Sequence, residues 1–262
     1  MHVALCGEGQ AVLLLHQTPR SWTEYCDVLP LLGQHVQAIA IDTPGFGDSE
    51  PVAVPTIEAW AKAAFEVLDA LGIGRIALVG HHTGAVIAME MAASRPECAA
   101  ALVLSSCPMV DAARRAAHAG HRVIDDVERR PDGAHLAELW SRRAPYYPAG
   151  DTDLLERFVA DALKAGPLAA EGHRVVNAYR MEDRLPRITC PTLVIDAPLD
   201  PHAHPAAARI AAAIPGARLH PIPGGMVPLP DQLPAAFSAA ILDFLVDLRA
   251  DLQKENQQWT RT

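Results

Sequence analysis

Twelve histidines stand against five phenylalanines in this chain of 262 residues, a ratio that raises proton transfer or metal binding as the first question. His82 is the middle of Gly80-His81-His82-Thr83-Gly84, a turn between an apolar run and a run of small residues. Imidazole changes charge near neutrality, so a histidine there can serve as base, nucleophile or metal ligand. A second group is Asp200-Pro201-His202-Ala203-His204. Its carboxylate can support an imidazolium, or it can start an Asp-Pro turn or cap a helix. The His202-x-His204 pair looks like a metal signal, but a loop next to Pro205 is more often a solvated turn. No two histidines have the i,i+4 spacing of helical ligands, so the reading is no metal site. Five scattered cysteines without C-x-x-C spacing point to reduced thiols in a cytoplasm rather than a disulfide frame or a thiolate zinc site.

The elements that must position these residues follow from hydrophobic runs. Val12–Leu15, Val36–Ile41, Ile76–Val79, Ala101–Leu104, Thr192–Ile195 and Arg218–Ile222 read as strands, several of them continuous apolar runs of buried-strand length. Between them lie a short helical segment closed by Leu32-Gly33, a helix capped by Thr56 and ended by Gly72, a small-residue helix from Ala85 to about Ala93, a helix over Pro205–Ala213 and a long one over Ala235–Ala250. The polar tail Asp251–Thr262 is expected to fray. Strand–helix alternation with apolar strands predicts an α/β fold: a mostly parallel sheet with helices on both faces. The alternation stops from Met109 to Leu185, which reads as helices. That is too long for a plain loop and is expected to be a helical cap, residues 109–185, on a core formed by residues 1–108 and 186–262.

Half the residues are hydrophobic, a fifth are charged, and the net charge is −9. This composition is globular. It carries no basic cluster to track a phosphate backbone and no apolar run long enough to span a bilayer, so neither nucleic acid nor membrane is an expected partner. Met1-His2-Val3-Ala4 has neither the basic nor the apolar region of a secretory leader, and a cytoplasmic location is expected. The expected partner is a small-molecule substrate, with a homodimer as the assembly left open. No Rossmann or P-loop glycine pattern is present, so no cofactor is expected.

The order of elements resembles the α/β-hydrolase fold over nearly the whole chain, and four local matches carry the resemblance. Leu14-Leu15-His16 resembles the LHG oxyanion-hole segment. Asp42-x-x-Gly45-Phe46-Gly47-x-Ser49 matches the D-x-x-G-x-G-x-S loop. Gly80–Gly84 falls where the family keeps its G-x-S-x-G nucleophile elbow, and Pro191–Ile195 followed by Asp200 resembles the strand and its acid loop. The chemistry positions depart from the pattern. The elbow's middle residue is His82. None of the seven serines has Gly at both −2 and +2, and the place of the loop histidine falls on Gly225 or Met226. An ordinary Ser-His-Asp acyl transfer is therefore not expected.

The resemblance implies further roles. Asp200 is the acid. His81 packs into the sheet, and His16 is a buried hydrogen-bonding residue beneath the pocket. The backbone amides of Gln17 and Thr83 are the expected oxyanion hole. His16, Tyr146, Tyr147, His202 and Met226 are pocket candidates, with the core of the cap the favoured place for Trp140 and the two tyrosines. The expected activity is hydrolysis of a small ester, lactone or amide with His82 as general base. A lyase, isomerase or cyclase on the same fold, or an inactive ligand-binding homologue, stands as the alternative.

Overall fold

The computed structural model describes the backbone of residues 1–259 and the side-chain surroundings of residues 1–250. Seven strands form one sheet: β1 (Val3–Cys6), β2 (Ala11–Leu15), β3 (Gln37–Ile41), β4 (Ile76–His81), β5 (Ala99–Ser105), β6 (Thr192–Asp196) and β7 (Arg218–Pro221). Their spatial order is β1-β3-β2-β4-β5-β6-β7. Only β1 pairs antiparallel, against β3, and the other neighbours are parallel. The expected α/β architecture is thus observed, with one strand more than the sequence reading supplied.

Side chains alternate across the pleat. Leu13, Leu15, Ile39 and Ile41 join one buried cluster with Trp60, Phe65 and the small residues 85–93. Val12, Leu14, Ala38 and Ala40 join a second, with Tyr25, Phe237 and Ile241. The continuous apolar runs are the result: a central strand covered on both faces has no polar side to show.

The helices are α1 (Leu29–Leu32), α2 (Ile57–Ala70), α3 (Thr83–Ser94), α4 (Ala112–His118), α5 (Ala134–Arg143), α6 (Thr152–Ala165), α7 (Leu168–Ala178), α8 (His204–Ala213), α9 (Leu229–Gln232) and α10 (Pro234–Trp259). Thr56 caps α2 as expected, its hydroxyl accepting from the Ala59 amide at 3.0 Å. Helices α4 to α7 all lie between β5 and β6, in the stretch where the alternation stops. The last helix outruns its expected end near Ala250 and continues through Trp259. The rest of the tail expected to fray, 260–262, lies outside the described residues. No described helix is long and apolar enough to cross a membrane.

Candidate active site

The site is built at the carboxyl edge of the central strands, where β4 runs into α3. Helix α3 starts at Thr83, two residues before its expected start, and His82 is the single residue between strand and helix. Its backbone is at φ 47°, ψ −110°, a left-handed setting that costs a non-glycine residue energy. The turn is possible because its flanks lack side chains. A Cβ on Gly80 would lie 2.1 Å from the Gly84 carbonyl oxygen, and one on Gly84 would lie 1.8 Å from that of Leu15. The His82 carbonyl accepts from the amides of Ala85 and Val86, which locks the apex onto the first turn of α3.

The His82 ring reaches across to the loop after β6. Its Nε2 lies 2.8 Å from Oδ2 of Asp200, with the His82 side chain 15% exposed and that of Asp200 fully buried. The approach is bent, and neither atom makes a well-aligned hydrogen bond elsewhere. Nδ1 has no protein partner and is not enclosed, so it is the nitrogen left open to the pocket. Burial alone would raise the Asp200 carboxyl. The His82 imidazole and the His202 amide more than offset that, holding it well below the usual carboxylate range. Asp200 satisfies both sequence readings at once. Oδ2 faces His82, while Oδ1 accepts from the His202 amide at 2.9 Å and shapes the turn.

The neighbouring histidines are structural. Nε2–H of His81 donates to the Val227 carbonyl at 2.8 Å, leaving Nδ1 to accept from the Ser105 hydroxyl at 3.0 Å. Burial, and then the adjacent His82, push it down to about 3, so it stays neutral. His16 donates from Nδ1 to the Gln17 carbonyl and accepts at Nε2 from the Thr43 amide. It ties the ends of β2 and β3 together, and burial lowers its pKa too. His204 turns to Asp196 at 3.0 Å, so His82, Asp200, His202 and His204 do not converge on one point.

Gln17 is a correction. Its backbone amide donates to Glu24 Oε2 at 2.9 Å, and its side-chain amide also meets that carboxylate. The backbone amide is therefore spent and is not the oxyanion donor expected of it. The next amide, Thr18, faces the elbow instead, 3.3 Å from the Thr83 hydroxyl. Thr83 opens α3, so its own amide has no acceptor within the helix, and the positive end of the helix dipole lies there.

A cavity of about 220 Å³ opens in front of His82, and Gln17, Thr18, Thr83 and His202 also line it. Its other walls come largely from the inserted helices and the chain linking them: Arg114, His118, Arg143, His173 and Asn177 among others. None of these was singled out from sequence as a site residue. That residues 109–185 are helical was visible, but not which of their faces meets the elbow.

Four pocket candidates fall outside the lining, His16 with the bonds given above and three others. Tyr147 is buried against Phe158 at a ring separation of 5.9 Å. Tyr146 meets His202 ring to ring at 4.6 Å, one layer back from the cavity. Met226 is fixed through its amide to Gln232, and its neighbour Val227 lines the cavity in its place. Ser106 also has a positive φ of 44°; its hydroxyl is buried without a partner and does not reach the cavity.

A parallel sheet, a glycine-flanked apex between strand and helix, and an acid on the loop after a later strand define a class of fold and site. The chain belongs to the alpha/beta hydrolase family, whose model matches residues 12–240. Among curated relatives it is 39% identical over 107 residues to epoxide hydrolase 3 of Siraitia grosvenorii. That match covers 39% of this chain and 34% of the relative, so the chain spans only about a third of that protein. A thermophilic esterase from Thermogutta terrifontis, solved with malate bound, superposes with a TM-score of 0.80 at 25% identity, over 94% of this chain and 93% of the other. The enol-lactonase of Burkholderia xenovorans LB400 gives 0.75 at 21% identity, over 94% and 96%; at that identity it bears on the fold alone.

Proposed function

We propose that this chain is a cofactor-independent hydrolase of a small ester, lactone or amide in which His82 is the general base. The observation that carries the reading is the His82–Asp200 contact of 2.8 Å on a strained apex whose other ring nitrogen faces the cavity. Nδ1 of His82 takes a proton from a water in the cavity as that water adds to the substrate carbonyl. The imidazolium so formed sits against the buried Asp200 carboxylate, which compensates its charge. The tetrahedral oxyanion is held by the backbone amide of Thr83 at the start of α3, one of the two expected donors, since the Thr18 amide already donates to the Thr83 hydroxyl. Its collapse expels the leaving group, which recovers the proton from His82. Residues 109–185 act as the cap that closes the cavity and limits its water.

The same apex favours a second reading. An imidazole base with no nucleophile beside it is equally suited to take a proton from a carbon next to a carbonyl, as a lyase or isomerase would. Oxygen-18 water separates the two, because only hydrolysis puts the label into a carboxylate product. A fluorophosphonate probe tests the absence of a serine nucleophile: intact mass is expected to be unchanged. Stoichiometric labelling of any of the seven serines would overturn the proposal.

A further inference from the structure

The charge of the cavity is opposite to that of the chain. The protein carries a net charge of −9, yet the side chains lining the cavity in front of His82 include three arginines and five histidines and no carboxylate. Two of the arginines are accounted for. Arg143 is clamped onto buried Asp125, and Arg122 is half exposed, with Glu138 at 3.9 Å. Arg114 has no such partner. It lies on α4, half buried. Its Nε donates to Asn177 Oδ1 at 3.1 Å, and no carboxylate among the described residues lies within ion-pair distance of it. Burial lowers its pKa, but arginine stays charged at any pH at which the protein is folded.

Asp200 and Asp111 attract Arg114 from beyond ion-pair distance, but a guanidinium partly withdrawn from water with no anion in contact is a cost to the fold. Here the Asn177 contact fixes the plane of the group through Nε and leaves the two terminal nitrogens free. That edge matches the two oxygens of a carboxylate.

We infer that the substrate is a small carboxylate, its anionic end held by Arg114 and its reactive group presented to His82. The inference rests on the proposed reading of this cavity as the substrate site, but the charge argument does not depend on which reaction His82 performs. The cavity of about 220 Å³ suits a molecule of a few carbons with its charge at one end, such as the monoester of a short diacid.

The test is calorimetric binding of three probes: succinate, its neutral dimethyl ester, and inorganic phosphate. They are titrated into the wild type and into H82A, R114Q and R115Q. Arg115 is the control, being next in sequence but paired with Glu182. Succinate is expected to bind wild type and H82A alike, at least tenfold more tightly than either other probe. R114Q should weaken it by tenfold or more, and R115Q by less than about twofold on the same scale. No succinate binding, equal or tighter binding of the dimethyl ester, tighter binding of phosphate, or equal loss in R114Q and R115Q would each overturn the inference. Because H82A is included, loss of turnover with binding intact bears on the base and not on Arg114.

Discussion

Two aspartate–histidine pairs contribute to the same cavity, and they are built differently. Asp200 is fully buried, with His82 Nε2 at 2.8 Å and no arginine against it. Asp125 is also buried, with His173 Nε2 at 2.6 Å, but Arg143 bonds both of its oxygens. Burial tends to raise Asp125; Arg143 first and then His173 bring it down to about 2. Asp125 thus has a permanent counter-charge, and a proton on His173 adds little to its balance. Asp200 has only an imidazole. A proton arriving on His82 completes a charge pair that is otherwise unmet, so the geometry that stabilises a base after it has acted exists on one wall only. The other wall holds inserted helices in place: Asp125 precedes α5, Arg143 ends it, and His173 is on α7.

The difference can be broken from either side. The largest effect is expected at Asp200. D200N keeps the size of the side chain but removes the charge that supports an imidazolium, and turnover should fall by roughly 10²–10⁴-fold with little change in far-ultraviolet circular dichroism. A rate within a few fold of wild type would remove Asp200 from the mechanism.

At Asp125 the expected effect is on stability. D125A leaves Arg143 buried and unpaired, and urea unfolding should show a loss of about 3–5 kcal/mol. A loss under about 1 kcal/mol, within the range of a surface ion pair, would mean that Arg143 finds water or another partner.

Acid titration sharpens the contrast. Both carboxylates are depressed in the folded state. Their contribution is therefore fully present above the unfolded carboxylate pKa of roughly 4 and is lost as pH falls through the folded values. For Asp125 that window runs from about 4 down to about 2. Thermal melts of D125N should accordingly show a shallower fall in stability over that window than wild type; an equally steep fall would place the acid sensitivity elsewhere.

The smallest effect belongs to His173. H173Q should change turnover by less than about threefold and stability by about 1 kcal/mol, because Arg143 still neutralises Asp125. A loss comparable with D200N would make this second pair the proton carrier and reverse the comparison.

What the sequence revealed depended on whether a feature was local. The Asp42–Ser49 loop could be read because part of its bonding is internal: Asp42 accepts from the Asp48 amide at 2.9 Å, and the Ser49 hydroxyl donates to the Asp42 carbonyl at 2.8 Å. The turn at His82 was legible for the same reason, since Gly80 and Gly84 are required by backbone atoms within it and on β2. The four-residue β1 is apolar throughout but too short and too exposed to show a strand period. Gln17 was misread because its amide is captured by Glu24, seven positions on, a bond that depends on how the chain turns between them. The wall of the cavity formed by the inserted helices was illegible altogether. Arg114 and Asn177 are 63 residues apart, and no periodicity marks a pair that meets only through packing of α4 on α7.

The central claim is that His82 is the base, and it is tested most directly by the turnover of H82A and H82S on an ester found by screening. H82A should fold, since alanine adds no atom that the apex does not already hold, and should lose about 10²–10⁴ in rate. H82S puts a hydroxyl at the apex, but the loop positions Gly225 and Met226 carry no group able to deprotonate it, and it should be nearly as inactive. If H82A instead turns over substrate at the wild-type rate, His82 is a bystander and the proposed mechanism is wrong.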